Sequence, residues 1–170
     1  RVDTRATPPI GLCYVAAVLE QEGYNVKIYD PIPTRNGFSK KFDDSLRELN
    51  PEIVAFTCTA PQEDPCFAQA KLAKEFNPNI LTVIGGPLIS SDGERIVKNE
   101  YIDLAVQGEG EITFPELVKA FEIKKGFKGI KGVIYKKGNK VIKNQPRELI
   151  QDLDSLPFPA RHLLDMEWYS

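Results

Sequence analysis

The sequence predicts an α/β fold built on a doubly wound parallel sheet with helices on both faces. Three observations carry this. Short β-branched runs alternate with stretches of helical periodicity along the chain. The strand candidates at 26–29, 53–57, 80–84, 103–106 and 132–135 begin 27, 27, 23 and 29 residues apart. That is the stride of repeating βα units, not the roughly 8–12 residues of hairpin-linked all-β folds. Runs such as Val54-Ala55-Phe56-Thr57 and Leu81-Thr82-Val83-Ile84 are apolar on both faces, as a sheet buried on both sides requires.

The elements follow in order. Arg1 to Thr7 holds no apolar run, although a doubly wound domain normally begins with a strand. The first strand is therefore expected to be truncated, and an opening on Arg1 instead of Met points the same way. Leu12, Val15, Ala16 and Leu19 then form an i, i+3, i+4, i+7 stripe, entered after Pro8-Pro9 and closed by Gly23, which predicts the first helix. Phe42, Leu46 and Leu49 mark a second helix, stopped before Pro51, and Cys66, Phe67, Ala70 and Ala73 a third. Ile96 and Val97 sit in a short fourth. Leu117, Val118 and Phe121 lie in a fifth, whose start reads as the capping box Thr113-x-x-Glu116. From Gly129 the pattern changes to a β-hairpin around Gly138-Asn139 and then a proline-punctuated linker. The expected organisation is an α/β domain over 1–128, with hairpin and linker over 129–170.

Composition bounds the function. At 170 residues, 42% hydrophobic and 27% charged, the chain has the size and make-up of one globular domain. No apolar run approaches the roughly 18 residues of a membrane span. Cys13, Cys58 and Cys66 are irregularly spaced, which argues against a disulfide scaffold and for a reducing, cytoplasmic setting. They form neither C-x-x-C nor a zinc pattern. Between Lys119 and Arg147, nine lysines and one arginine face a single acidic residue, Glu122. A solvated lysine face is the favoured reading, and a nucleic-acid or acidic partner the weaker one.

In open α/β sheets, ligands bind in the crevice at the carboxyl ends of the strands. The residues there are Asp30-Pro31-Ile32-Pro33, Thr57-Cys58-Thr59, Gly85-Gly86-Pro87 and Gly108-Glu109-Gly110-Glu111. Gly-Gly lets a bulky ligand approach the backbone, threonine hydroxyls donate and accept, and Gly108 and Gly110 precede a helix N-terminus. Any one such turn is explained by tight βα geometry; four on one edge point to a ligand. Neither phosphate-loop fingerprint is present. Glu109 and Glu111 read first as helix-terminal carboxylates, with acid–base or metal chemistry the lesser alternative. Cys13 and Cys66 read as packing residues. Cys58 is the cysteine nearest the ligand edge, though no adjacent base marks it as a nucleophile. A signalling receiver or ligand sensor on the same fold is disfavoured, because Thr57-Cys58-Thr59 stands where a receiver carries its acceptor Asp.

The succession PPIGLCYVAAVLEQEGYNVKIYD, IVAFTCTAP, VIGGP, DLAVQGEGE and DLDSLPFPAR resembles the cobalamin-binding domain that precedes the catalytic domain in radical-SAM enzymes. The resemblance runs from Pro8 to about Trp168. It implies a flavodoxin-like (Rossmann-like) sheet holding the cofactor's nucleotide tail among the strand ends, with the corrin ring above. By position, Thr57 and Thr59 would contact the tail, and Gly85, Gly86 and Pro87 would wall its channel. Gly108, Glu109 and Gly110 would close the far side, while Asp30 and Ile32 would lie near the lower face of the ring. Methyltransfer carriers with D-x-H-x-x-G use that histidine on cobalt. Here the stretch is Asp30-Pro31-Ile32-Pro33-Thr34-Arg35, and the lone histidine, His162, lies in the linker. The resemblance therefore implies cobalamin bound base-off with no protein histidine on cobalt. It also implies a radical-SAM domain after the linker, carrying a 4Fe–4S cluster and S-adenosylmethionine for methyl transfer or rearrangement. The C-x-x-x-C-x-x-C of that chemistry is absent from this sequence, so this stretch is not itself expected to be catalytic. A cobalamin-free, tRNA-modifying relative is the remaining alternative.

Overall fold

The structure is a computed structural model that describes residues 7–30, 33–34, 37–38 and 41–169. Helix α1 (Ile10–Gln21) is followed by the small antiparallel pair β1 (Pro33–Thr34) and β2 (Gly37–Phe38). Then come α2 (Phe42–Leu49), β3 (Ile53–Thr57), α3 (Glu63–Phe76), β4 (Leu81–Gly85) and α4 (Pro87–Ile96). The chain continues through β5 (Leu104–Val106), α5 (Gly110–Glu122), β6 (Val133–Lys137) and β7 (Lys140–Lys143). The main sheet runs β3-β4-β5-β6-β7.

Period-two patterning places helices on both faces, as expected of a doubly wound fold. Leu81 and Val83 point to the α1/α5 side, packing with Leu19, Leu117 and Val118. Ile84 points to the other side, with Ala70, Ile89 and Ile96 of α3 and α4. Thr82 is the one polar side chain of β4, and it is fully buried. Its hydroxyl meets the Tyr101 carbonyl at 2.6 Å and the Asp103 carboxylate, which also receives Lys74.

Four corrections concern the elements. Residues 26–29, expected as a strand, join no ladder among the described residues. Val26 and Ile28 pack on Ala16 and Ala17 of α1, and Tyr29 tilts against Phe42 at 5.4 Å between ring centroids. Their alternation reported burial against a helix, which does not by itself supply a main-chain partner. An apolar cavity of about 1140 Å³ separates this segment from β3, with Leu12, Leu19, Ile28 and Ile53 in its walls. The expected truncation of the first strand falls on residues before Thr7, outside the described residues.

The sheet is mixed: β3, β4 and β5 are parallel, whereas β6 pairs antiparallel with β5. The cause is the link 123–132, which carries the chain back to the edge where α5 began. Lys124, Gly126, Gly129 and Gly132 in that link all have positive φ. Helix α4 begins directly at Pro87, longer than expected, with a non-helical residue at Asp92. Helix α5 begins at Gly110, so Thr113 and Glu116 form no capping box. Instead, Thr113 Oγ1 accepts from Arg147 Nε at 2.8 Å, and Glu116 pairs with the same guanidinium.

The hairpin forms where expected, between β6 and β7. Several lysines of the 119–147 stretch are engaged within the chain: Lys119 of α5 with Glu22, Lys131 of the link with Glu148, and Lys136 of β6 with the Asn99 carbonyl. Among the described residues, no helix is long and apolar enough to cross a membrane.

Candidate functional site

The parallel register sets the site. Thr57 of β3 lies opposite Gly85 of β4, so the two turns leave the sheet side by side. Cys58 N–H donates to the Gly85 carbonyl at 2.8 Å, and Leu88 N–H to the Cys58 carbonyl at 3.2 Å. Gly86, with φ +100°, fills the space between the turns. A Cβ there would stand 2.7 Å from Cys58 N, 2.8 Å from Cys58 O and 2.9 Å from Thr57 Oγ1. Its lack of a side chain serves the packing of turn on turn before it serves any ligand. Pro87 then supplies the first residue of α4, where a missing N–H costs nothing.

Thr59 caps its own short 3₁₀ turn (Ala60–Gln62). Its hydroxyl donates to Gln62 Oε1 at 2.8 Å, and its N–H to the same oxygen at 3.1 Å. The proton of Thr59 is thus committed locally, and its oxygen remains an acceptor. At the end of β5, Gly108 has φ +79°, and a Cβ there would meet nothing within 4 Å. Glu109 is the N-cap of α5 but makes no side-chain cap, while Glu111 lies in the first turn, where the helix dipole favours a carboxylate. At Gly110 a Cβ would meet Val15 Cγ2 at 3.2 Å, so its smallness lets α5 approach α1.

Asp30 is half-buried, and its Oδ2 accepts from the Tyr169 hydroxyl at 2.5 Å. Ile32 lies outside the described residues. Asp30 and Thr57 both line the 1140 Å³ cavity, whereas Thr59, Gly85, Gly86, Pro87 and Gly108 to Gly110 do not. The cavity runs along the β3 edge and meets the strand-end turns only at its mouth.

Cys13, Cys58 and Cys66 are buried free thiols. Burial raises all three above the ordinary thiol range, Cys66 to about 12, with neighbouring Cys58 adding to the rise. That makes them packing groups, including Cys58, whose full burial removes it from the ligand edge. His162 sits against the Glu20 carboxylate at 3.1 Å, on the outer side of α1. Among the described residues, no group of three or more His, Cys, Asp or Glu could hold a metal ion.

Sequence reasoning missed Tyr169. It is 139 residues from Asp30, in a segment that reads as linker, and no local pattern signals the contact.

Residues 4–118 match the family described as the B12 binding domain. An uncharacterised methyltransferase of Pyrococcus horikoshii is 38% identical over 170 residues, covering 99% of this chain and 37% of that protein. The cobalamin-dependent radical SAM methyltransferase TokK of Streptomyces tokunonensis is 28% identical over 113 residues, 65% of this chain and 17% of that protein. Among solved structures, the radical S-adenosylmethionine methyltransferase TsrM from Kitasatospora setae, with cobalamin and a 4Fe–4S cluster bound, superposes with TM-score 0.69. It is 21% identical, over 96% of this chain and 32% of that one; at that identity the likeness is one of fold. The chain thus spans well under half the length of these proteins.

Proposed function

This chain belongs to the B12-binding domain family, and from that premise we propose that it is the cobalamin-binding domain of a cobalamin-dependent radical-SAM enzyme and holds cobalamin base-off at its strand-end edge for a downstream catalytic domain. The carrying observation is the clustering of the 57–59, 85–87 and 108–110 turns on one edge. The residues suit the group. A Cβ at Gly108 would meet nothing within 4 Å, so that turn does not crowd a ligand, and the Thr57 hydroxyl can donate to or accept from the amide side chains of a corrin.

In this reading Thr57 and Thr59 meet the nucleotide tail, and Gly85, Gly86 and Pro87 line its path. Gly108, Glu109 and Gly110 bound the far side, and Asp30 and Ile32 face the lower side of the ring. Bound there, cobalamin supplies a cobalt centre able to carry a methyl group. The protein's part is to bind and orient. It offers no imidazole to the lower face, since His162 is turned to Glu20. Residues 1–128 hold the cofactor, and residues 129–170 close the sheet and lead toward the radical-SAM domain. That domain supplies the 4Fe–4S cluster and the S-adenosylmethionine of a methyltransferase reaction.

Electron paramagnetic resonance of the chain loaded with cob(II)alamin tests the binding mode. Base-off binding without a protein ligand predicts no nitrogen superhyperfine splitting from an axial base. Splitting from a coordinated nitrogen overturns it.

A further inference from the structure

The C-terminal segment does not leave the molecule freely. Ala160 N–H donates to the Cys13 carbonyl of α1 at 3.0 Å, and its methyl group is buried against Ala16 and Ala17. Leu163 packs on the same cluster with Ile28, and His162 lies against Glu20. The segment then reaches the cavity wall that Asp30 shares with Thr57, where the Tyr169 hydroxyl donates to Asp30 at 2.5 Å. The stretch from Ala160 to the last turn at Met166–Tyr169 is thereby fixed at several points against α1 and Asp30. A tether needing only length and solubility would require none of these contacts.

We propose that Tyr169 is a positioning residue of the cofactor site, holding the Asp30 carboxylate toward the corrin and tying the segment that leads to the catalytic domain to the cofactor. The proposal rests on the cobalamin reading above and adds to it a residue and a coupling. A carboxylate accepts through two oxygens. Tyr169 takes Oδ2, which fixes the rotation of the group and directs the remaining acceptor capacity to an amide N–H of the corrin periphery. Burial, then the hydrogen bond to Asp30, raise the phenol of Tyr169 above its ordinary value, with Cys13 and Asp165 adding to the rise. The hydroxyl therefore stays protonated and donating across the neutral range. Movement of the downstream domain that pulls Met166–Tyr169 away would release Asp30, so domain position and cofactor grip are linked.

The test uses the full chain as wild type, Tyr169→Phe, Asp30→Ala and the double variant. Hydroxocobalamin is titrated and followed by visible absorbance, with melting curves as the fold control. Tyr169→Phe keeps the ring, so its melt should match wild type closely, while corrinoid affinity falls about fivefold and the bound spectrum shifts. The double variant should bind no more weakly than Asp30→Ala alone, because the hydroxyl acts only through that carboxylate. Wild-type affinity and spectrum in Tyr169→Phe, or additive losses in the double variant, would overturn the proposal while leaving the cobalamin reading intact. A wild type that retains no corrinoid removes that reading, and this proposal with it.

Discussion

Gly86 and Gly108 are both strand-end glycines with positive φ, yet they carry different loads. Gly86 is enclosed by the Cys58 backbone, whereas Gly108 faces open space. Gly86→Ala should lower stability by about 1–3 kcal/mol, from strain at φ +100° and the clash at 2.7 Å. Gly108→Ala should cost about 1 kcal/mol, from backbone strain alone. Urea unfolding of the two variants checks this, and equal losses would mean the turns pack differently. A glycine motif in a sequence cannot show this distinction: VIGGP and GEGE look alike as ligand turns, and only tertiary packing separates them. The cysteines allow a second expectation. An unfolded thiol ionises near roughly 8.5, while Cys66 in the fold is pushed up to about 12 by burial and by Cys58. Between those values the unfolded chain holds fewer protons, so stability falls as pH rises through that window and is unaffected below it. Cys66→Ala should flatten this decline in urea midpoints measured on either side of the window; an unchanged slope would contradict it.

At the scale of elements, hydrophobic periodicity identified α1, α2 and α3 and the strands β3 to β6, because each spends its apolar face on one buried side of the sheet. It could not determine pairing. Residues 26–29 have the alternation of a strand, but that alternation is satisfied by α1. Strand β6 has the β-branched content of another parallel strand, but the link 123–132 reverses its direction. Gly132 governs that reversal. Its φ is +80°, its N–H donates to the Gln145 carbonyl, and a Cβ would stand 2.7 Å from Gln107 O. Gly132→Ala should therefore destabilise the β5–β6 ladder by about 2 kcal/mol or more, with amide exchange quickening first in β6 and β7. Protection unchanged there would show that the link tolerates a side chain. The expected capping box failed because α5 begins earlier, at Gly110, which puts Thr113 inside the helix. Thr113 and Glu116 have the right spacing, but Arg147, arriving from beyond β7, claims both.

Across the whole molecule, the shared edge of the turns after β3, β4 and β5 was legible because parallel βα repeats place such turns on one side, whereas the expected fourth turn, at Asp30, follows no strand of the sheet. The order of the motifs supplied the family. What was not legible was the closure of the molecule: the C-terminal segment reads as a linker, yet it lies along α1 and ends on Asp30. Contacts at a separation of 139 residues leave no periodicity to read. The cavity beside β3 was likewise invisible, since it depends on which segments fail to pair. The lysine stretch illustrates the converse. It stands out in the sequence, but in the fold it is partly spent on internal partners such as Glu22, Glu148 and Asn99.

Retention of hydroxocobalamin through gel filtration, read as corrin absorbance co-eluting with the chain, tests the central claim most directly. About one corrinoid per chain is expected for the wild type, with binding weakened by Thr57→Val, which removes a hydroxyl at the edge while keeping side-chain shape. A folded chain that elutes free of corrin absorbance would contradict it.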